Sequence, residues 1–189
     1  MQLILLLKAR HLTGLRKNQL LSLVLILFSW AGFSQTMPYQ SNTKQAKNDI
    51  SKIIDAWHQA AGEANFEDYF SLMSEDAVFI GTDATENWQL EEFKAYAKPH
   101  FDKGRAWDFT SVERNIYIAN KKGIAWFDEL LDTHMGICRG SGVMQYIDGD
   151  WKISHYVLSI EIPNDNVAEI TRIKKDFDTK MLQKLEAQN

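Results

Sequence analysis

From Arg105 to Ile162 the chain alternates long runs of strand-forming residues with short turn signals, and this restricts its fold more than any other feature. "AWDFTSVERNIYIAN" is followed by the turn "KKG", and "IAWFDELLDT" by "HMG". "ICRGSGVMQYI" is followed by the tight turn "DGD", and "WKISHYVLSIEI" ends the series before Pro163 and Asn164. Runs of this length and composition are strands, and glycine turns this short join antiparallel neighbours. The spacing predicts an antiparallel meander of four long strands.

Ahead of the meander the apolar period is helical. Ile50, Ile53, Ile54, Trp57 and Ala61 form one stripe. Asn65 opens a second, short helix, with Asp68 three residues on and Phe66, Tyr69, Phe70 and Met73 as its buried side. "DAVFIGTD" is a short strand ending in a glycine turn, and "ENWQLEEFKAYAKPHF" returns to helical spacing through Leu90, Phe93 and Ala97. Pro99 is expected to end or kink that helix. After the meander, Asp165 is placed to cap a last helix bearing Val167, Ile170, Ile173, Phe177 and Met181 on one face. This helix is expected to pack on the domain's own sheet, with pairing to a second copy as the alternative. Helices segregated from antiparallel strands make an α+β domain. A curved sheet wrapped over helices leaves a concave face that side chains must line.

The first 34 residues are built differently. Lys8, Arg10, Arg16 and Lys17 precede the uncharged run "LLSLVLILFSWAGF", Leu20 to Phe33. A basic region followed by an apolar one of this size is the pattern of an export signal, and it is short for a membrane span of about 20 residues. Gly32 and Ser34 suit a cut before Gln35. The expected organisation is a signal peptide over 1–34, a polar leader over 35–48, the domain over 49–164 and the C-terminal helix over 165–189. Removing four positive and no negative charges takes the net charge from −4 to −8. An acidic domain without a basic stripe argues against nucleic acid as a partner. Cys138 is the only cysteine, so packing rather than a disulfide must hold an exported fold together.

Several stretches resemble the SnoaL-like group of the NTF2-like superfamily. "DYFSLMSEDAVFIGTDATENW" is similar to its helix–strand–turn segment, including Phe79, Gly81, Thr82 and Trp88. "GIAWFDE" and "RGSGVM" resemble its middle strands, and "WKISHYVLSIEIPN" its last strand. The likeness runs from Asp49 to Asn164. It implies a cone with helices packed in the concave face of a curved antiparallel sheet, a cavity between them, and a homodimer formed through the outer sheet face. Members often carry two histidines two residues apart on the last strand; here the positions hold His155 and Val157. The superfamily hosts isomerases, dehydratases, binding modules and assembly domains, so the fold does not name an activity.

Alternate strand residues share a face, so Trp151, Ile153, His155, Val157 and Ser159 are expected on one side of the last strand. The resemblance implies that this side lines the cavity. His155 and Ser159 lie roughly 13 Å apart along the strand, too far for a nucleophile and its base. His155 alone could serve as a base or as a donor to a ligand, or be an ordinary core histidine. Arg139, beside Gly140 and Gly142 in "CRGSG", would need a carboxylate from Asp128 or Glu129 on the preceding strand, only one of which can face inward. Trp107 with Phe109, and Trp126 with Asp128, share faces and could wall an apolar pocket. His58 is expected at the edge of its helix stripe. The histidines have no metal-binding spacing, and no phosphate loop or nucleophile motif is present.

These residues predict an exported, periplasmic or secreted domain that binds a small, largely apolar ligand without a cofactor. Trp107, Phe109, Trp126, Arg139, Val157 and Ser159 are the expected contacts, with His155 at the ligand's polar end. The second reading is a cofactor-independent lyase or isomerase, with His155 moving a proton and Asp128 or Glu129 assisting. The third is an interaction domain whose cavity its own side chains fill.

Overall fold

The computed structural model describes residues 42–119 and 123–188. The expected signal peptide and its cut lie outside these residues.

The first helix, α1, spans Thr43–Gly62, and the Asn42 side chain accepts the Lys44 backbone N–H at its start. Residues 43–48, expected in the polar leader, are therefore helical. Helix α2 (Phe66–Ser71) follows, capped by Asn65, whose side chain accepts the Asp68 N–H. Strand β1 (Met73–Ile80) leads through a turn to the short β2 (Asn87–Gln89) and helix α3 (Leu90–Phe101). Pro99 does not end α3 at its own position; it lies inside the helix, which closes two residues later at Phe101.

The meander is β3 (Thr110–Ala119), β4 (Ile124–Thr133), β5 (Gly136–Ile147) and β6 (Asp150–Ile160). The six strands order as β2-β1-β6-β5-β4-β3. All neighbours are antiparallel except β1 and β6, which run parallel. Asp148 and Gly149 both have positive φ, 52° and 99°, as the two central residues of a tight hairpin require.

Three register shifts curve the sheet. One lies in β1 between Met73 and Val78, and one in β3 leaves Val112 without a partner between Ser111 and Glu113. The third has Ile153 opposite Met144 but His155 opposite Val143, so Ser154 is an extra residue in β6. Its hydroxyl is satisfied by Ser74, 3.1 Å away.

The core fills the concave side. Ile50, Ile54 and Trp57 of α1 meet Tyr69, Phe79, Phe93, Phe127 and Tyr156, all nearly or wholly buried. Trp57 stacks on Tyr69 at 4.8 Å and meets Tyr156 edge-on at 4.7 Å. Aromatic side chains thus fill the space between α1 and the sheet.

After a 3-10 turn at Asn164–Asn166, helix α4 spans Val167–Glu186. Asp165 lies inside that turn and makes no cap for α4, which starts without a side-chain cap. The helix does not pack on the domain's sheet. None of its residues is buried, and Ile173, Phe177 and Leu182 are exposed.

Candidate functional site

The α1 stripe carries a histidine among its apolar residues. His58 lies four residues after Ile54 and three before Ala61, so it faces the sheet with them and is 7% exposed. Opposite it, the alternation of β4 points Glu129 inward between Phe127 and Leu131. His58 Nε2 lies 2.8 Å from Glu129 Oε1, and the Tyr156 hydroxyl donates to the same oxygen at 3.2 Å. The other oxygen, Oε2, accepts from Nε and Nη2 of Arg114 at 3.0 and 2.8 Å. Arg114 Nη1 donates to the Ser51 carbonyl and hydroxyl and to Asp55.

Burial alone would push the Glu129 carboxyl up, but the hydrogen bond and attraction of His58, then those of Arg114, hold it below the usual carboxylate range. Burial first, and the Glu129 charge second, push the Tyr156 phenol well above its ordinary value. Glu129 is therefore a carboxylate and Tyr156 a neutral donor. Both Glu129 oxygens already hold two donors each, so the array ties α1 to the sheet and leaves no acceptor vacant. Two buried polar groups nearby, Trp57 Nε1 and the Tyr69 hydroxyl, make no hydrogen bond. Burial raises the Tyr69 phenol well above its ordinary value.

One open volume with mainly aromatic walls lies between β1, α3, the segment 106–109 and the β4–β5 turn. It is a cleft of about 270 Å³ lined by Phe79, Trp88, Phe93, Tyr96, Trp107 and Phe109, with Leu158 and Met135. Phe79 and Phe93 stack at 4.0 Å, Trp88 stacks on Tyr96 at 4.3 Å, and Trp107 stacks on Phe93 at 5.9 Å. Thr82, Glu86, His100 and His134 supply its polar groups. Phe109 stands between this cleft and the buried array, with its ring 6.1 Å from that of His58. The volume lies just below the roughly 300–1,000 Å³ usual for ligand sites and suits one or two fused rings.

Of the residues expected to contact a ligand, Trp107 and Phe109 line the cleft. The others share the opposite face of the sheet. The extra Ser154 reverses the alternation, so Ile153 faces inward with Tyr156 and Leu158, while His155, Val157 and Ser159 turn outward. Expecting one common face for Ile153 and His155 is corrected by that bulge. Register places His155 beside Val143 and Ser159 beside Arg139 on the outer face. Asp128 and Trp126 also face outward, because Glu129 and Phe127 take the inner positions of β4. Arg139 pairs with Glu161 at 3.0 Å and approaches Asp128 at 3.7 Å. Sequence reasoning missed Arg114, which is the inward arginine, and set His58 at the margin. The interval Ile54–His58–Ala61 was the available signal for His58. Among the described residues, no group of three or more His, Cys, Asp or Glu could hold a metal ion.

Gly140 and Gly142 leave room for rings. A Cβ at Gly140 would meet the Tyr156 hydroxyl at 2.1 Å, and one at Gly142 would meet the His155 carbonyl at 2.6 Å and the Phe127 ring at 2.7 Å. They admit close approach on the inner face.

The model of the SnoaL-like domain matches residues 50–163. Among curated proteins, none matches the chain. Solved structures share the fold at low identity. An NTF2-like protein from Pseudomonas putida KT2440 is 14% identical with a TM-score of 0.54, over 65% of this chain and 92% of its own. One from Shewanella baltica OS155 is 12% identical with a TM-score of 0.52, over 66% and 100%. The association domain of C. elegans CaMKII is 20% identical with a TM-score of 0.52, over 62% and 97%.

Proposed function

The chain belongs to the SnoaL-like domain family, and we propose that it binds a small, flat, largely apolar molecule in its aromatic cleft. The observation that carries this is the division of the interior into two parts. The deep end is filled, and His58, Glu129, Arg114 and Tyr156 bond one another there, while six aromatic rings surround a volume that remains open. Aromatic walls with a few polar groups at the rim are the usual make-up of a small-molecule site. A lyase or isomerase with His155 as its base draws no support from a side chain on the outer face.

Saturation-transfer NMR with p-cresol and 2-naphthol tests the proposal on residues 35–189. The expected result is transfer from the protein to the probe rings, lost in Trp107→Ala. No transfer to either probe would overturn it.

Export and pairing with a second copy are proposed alongside it. The basic-then-apolar order of residues 8–33 supports the first, and N-terminal sequencing of protein recovered outside the cytoplasm tests it. For the second, Tyr117 and Trp126 stack at 5.8 Å on the outer sheet face and are 44% and 47% exposed. Light scattering should give twice the chain mass; a monomer at high concentration would sink the pairing.

A further inference from the structure

We infer that the cleft selects a cationic ligand, an amine or quaternary ammonium carried on an apolar ring, held by the aromatic faces and the Glu86 carboxylate. The inference rests on the cleft being a binding site and adds the chemical class that it takes.

Among the described residues, Glu86 carries the only carboxylate on the cleft wall, and no lysine or arginine lines it. Glu86 makes no ion pair among the described residues. Its Oε2 accepts one hydrogen bond, from the Asp83 backbone N–H at 3.1 Å. A carboxylate on a protein surface commonly finds a lysine or arginine nearby; this one faces rings and two imidazoles instead.

The turn that carries Glu86 is braced from several sides. Gly81 N–H donates to the Glu86 carbonyl at 3.0 Å, and Glu86 N–H donates to the Asp83 carbonyl at 2.9 Å. The Asp83 side chain accepts from the Thr85 N–H and hydroxyl. Glu86 also packs so closely on Gly81 that a Cβ there would overlap its carboxylate. Its charge is thus held at the rim by the backbone rather than left to wander on a loop.

The rings add to the same field. An aromatic face carries negative quadrupolar charge and attracts a cation within about 6 Å of its centroid. Trp88 and Trp107 are half-buried and Tyr96 is exposed, so all three leave ring surface open to a ligand at the cleft. The Tyr96 phenol reports this environment, since burial and then the Glu86 charge raise it above its ordinary value. A carboxylate-bearing ligand would meet repulsion from Glu86 and find no guanidinium or ammonium to answer it.

The test compares benzyltrimethylammonium with neopentylbenzene, which has the same shape with carbon in place of N⁺, and with phenylacetate. Dissociation constants are measured by ligand-observed NMR on residues 35–189 at pH 8. The cation is expected to bind about tenfold more tightly than its neutral isostere. In Glu86→Gln, whose amide oxygen can keep the Asp83 hydrogen bond, that ratio should fall toward one. A thermal melt of the variant checks that the fold survives. Equal binding of cation and isostere, or preference for phenylacetate, would overturn the inference while leaving the cleft as a binding site. A cation preference that Glu86→Gln does not change would overturn the role of Glu86. Absence of binding by all three would overturn the cleft reading with it.

Discussion

Glu129 Oε1 on β4 lies 2.8 Å from Nε2 of His58 on α1, across 71 positions of sequence and in the buried interior of the cone. Arg114 closes the other side of the same carboxylate. This three-residue link joins the first helix to two strands of the sheet.

Glu129→Gln is expected to destabilise the domain by about 3–5 kcal/mol at pH 7, because it leaves the Arg114 guanidinium without its buried counter-charge. Urea unfolding followed by circular dichroism gives the value. A loss within experimental error of zero would mean that water or Asp55 compensates.

The same pair makes a prediction about pH. The folded-state pKa of Glu129 is lowered, so its stabilisation is fully present above the unfolded carboxylate value of about 4.3 and is lost as pH falls through the lower folded value. The stability gap between the native protein and Glu129→Gln should therefore narrow below about pH 4. A gap that stays constant from pH 7 to pH 3 would contradict the lowered pKa.

Gly140→Ala should displace the Tyr156 ring from Glu129, since the new Cβ would overlap the hydroxyl. Overpacking of this kind costs about 1–3 kcal/mol. The replacement with Tyr156→Phe should be less than additive, because both act on one contact. Full additivity in a double-mutant cycle would show that Gly140 matters for another reason.

His155→Gln is expected to change stability by no more than about 0.5 kcal/mol and to leave probe binding in the cleft unaltered. Its side chain lies on the sheet face away from the cleft. A lost saturation-transfer signal would show that the outer face takes part in binding.

Truncation after Asn166 removes a helix that buries none of its residues. The urea midpoint of the remaining domain should not move when measured at low protein concentration. A drop in that midpoint would place α4 against the fold; a change confined to high concentration would assign it to contacts between copies.

The sequence by itself determined the elements of this protein. The strand runs of the meander, the Asp148-Gly149 turn and the α1 stripe follow from local chemistry: side-chain period, backbone freedom at positive φ and helix spacing. The Trp107–Phe109 wall was legible for the same reason, as aromatic residues two apart on an extended segment. What only the tertiary structure decided is which way the last strand points its side chains. An alternation can be read along an uninterrupted strand, but one extra residue, Ser154, reverses every position after it. That residue shows only in the pairing of β6 with β5, where Ile153 lies opposite Met144 and His155 opposite Val143. The choice between Asp128 and Glu129 was closed to sequence reasoning on similar grounds. Both are acidic and adjacent, and only the arrival of His58 and Arg114 from distant segments makes Glu129 the one whose charge can be buried.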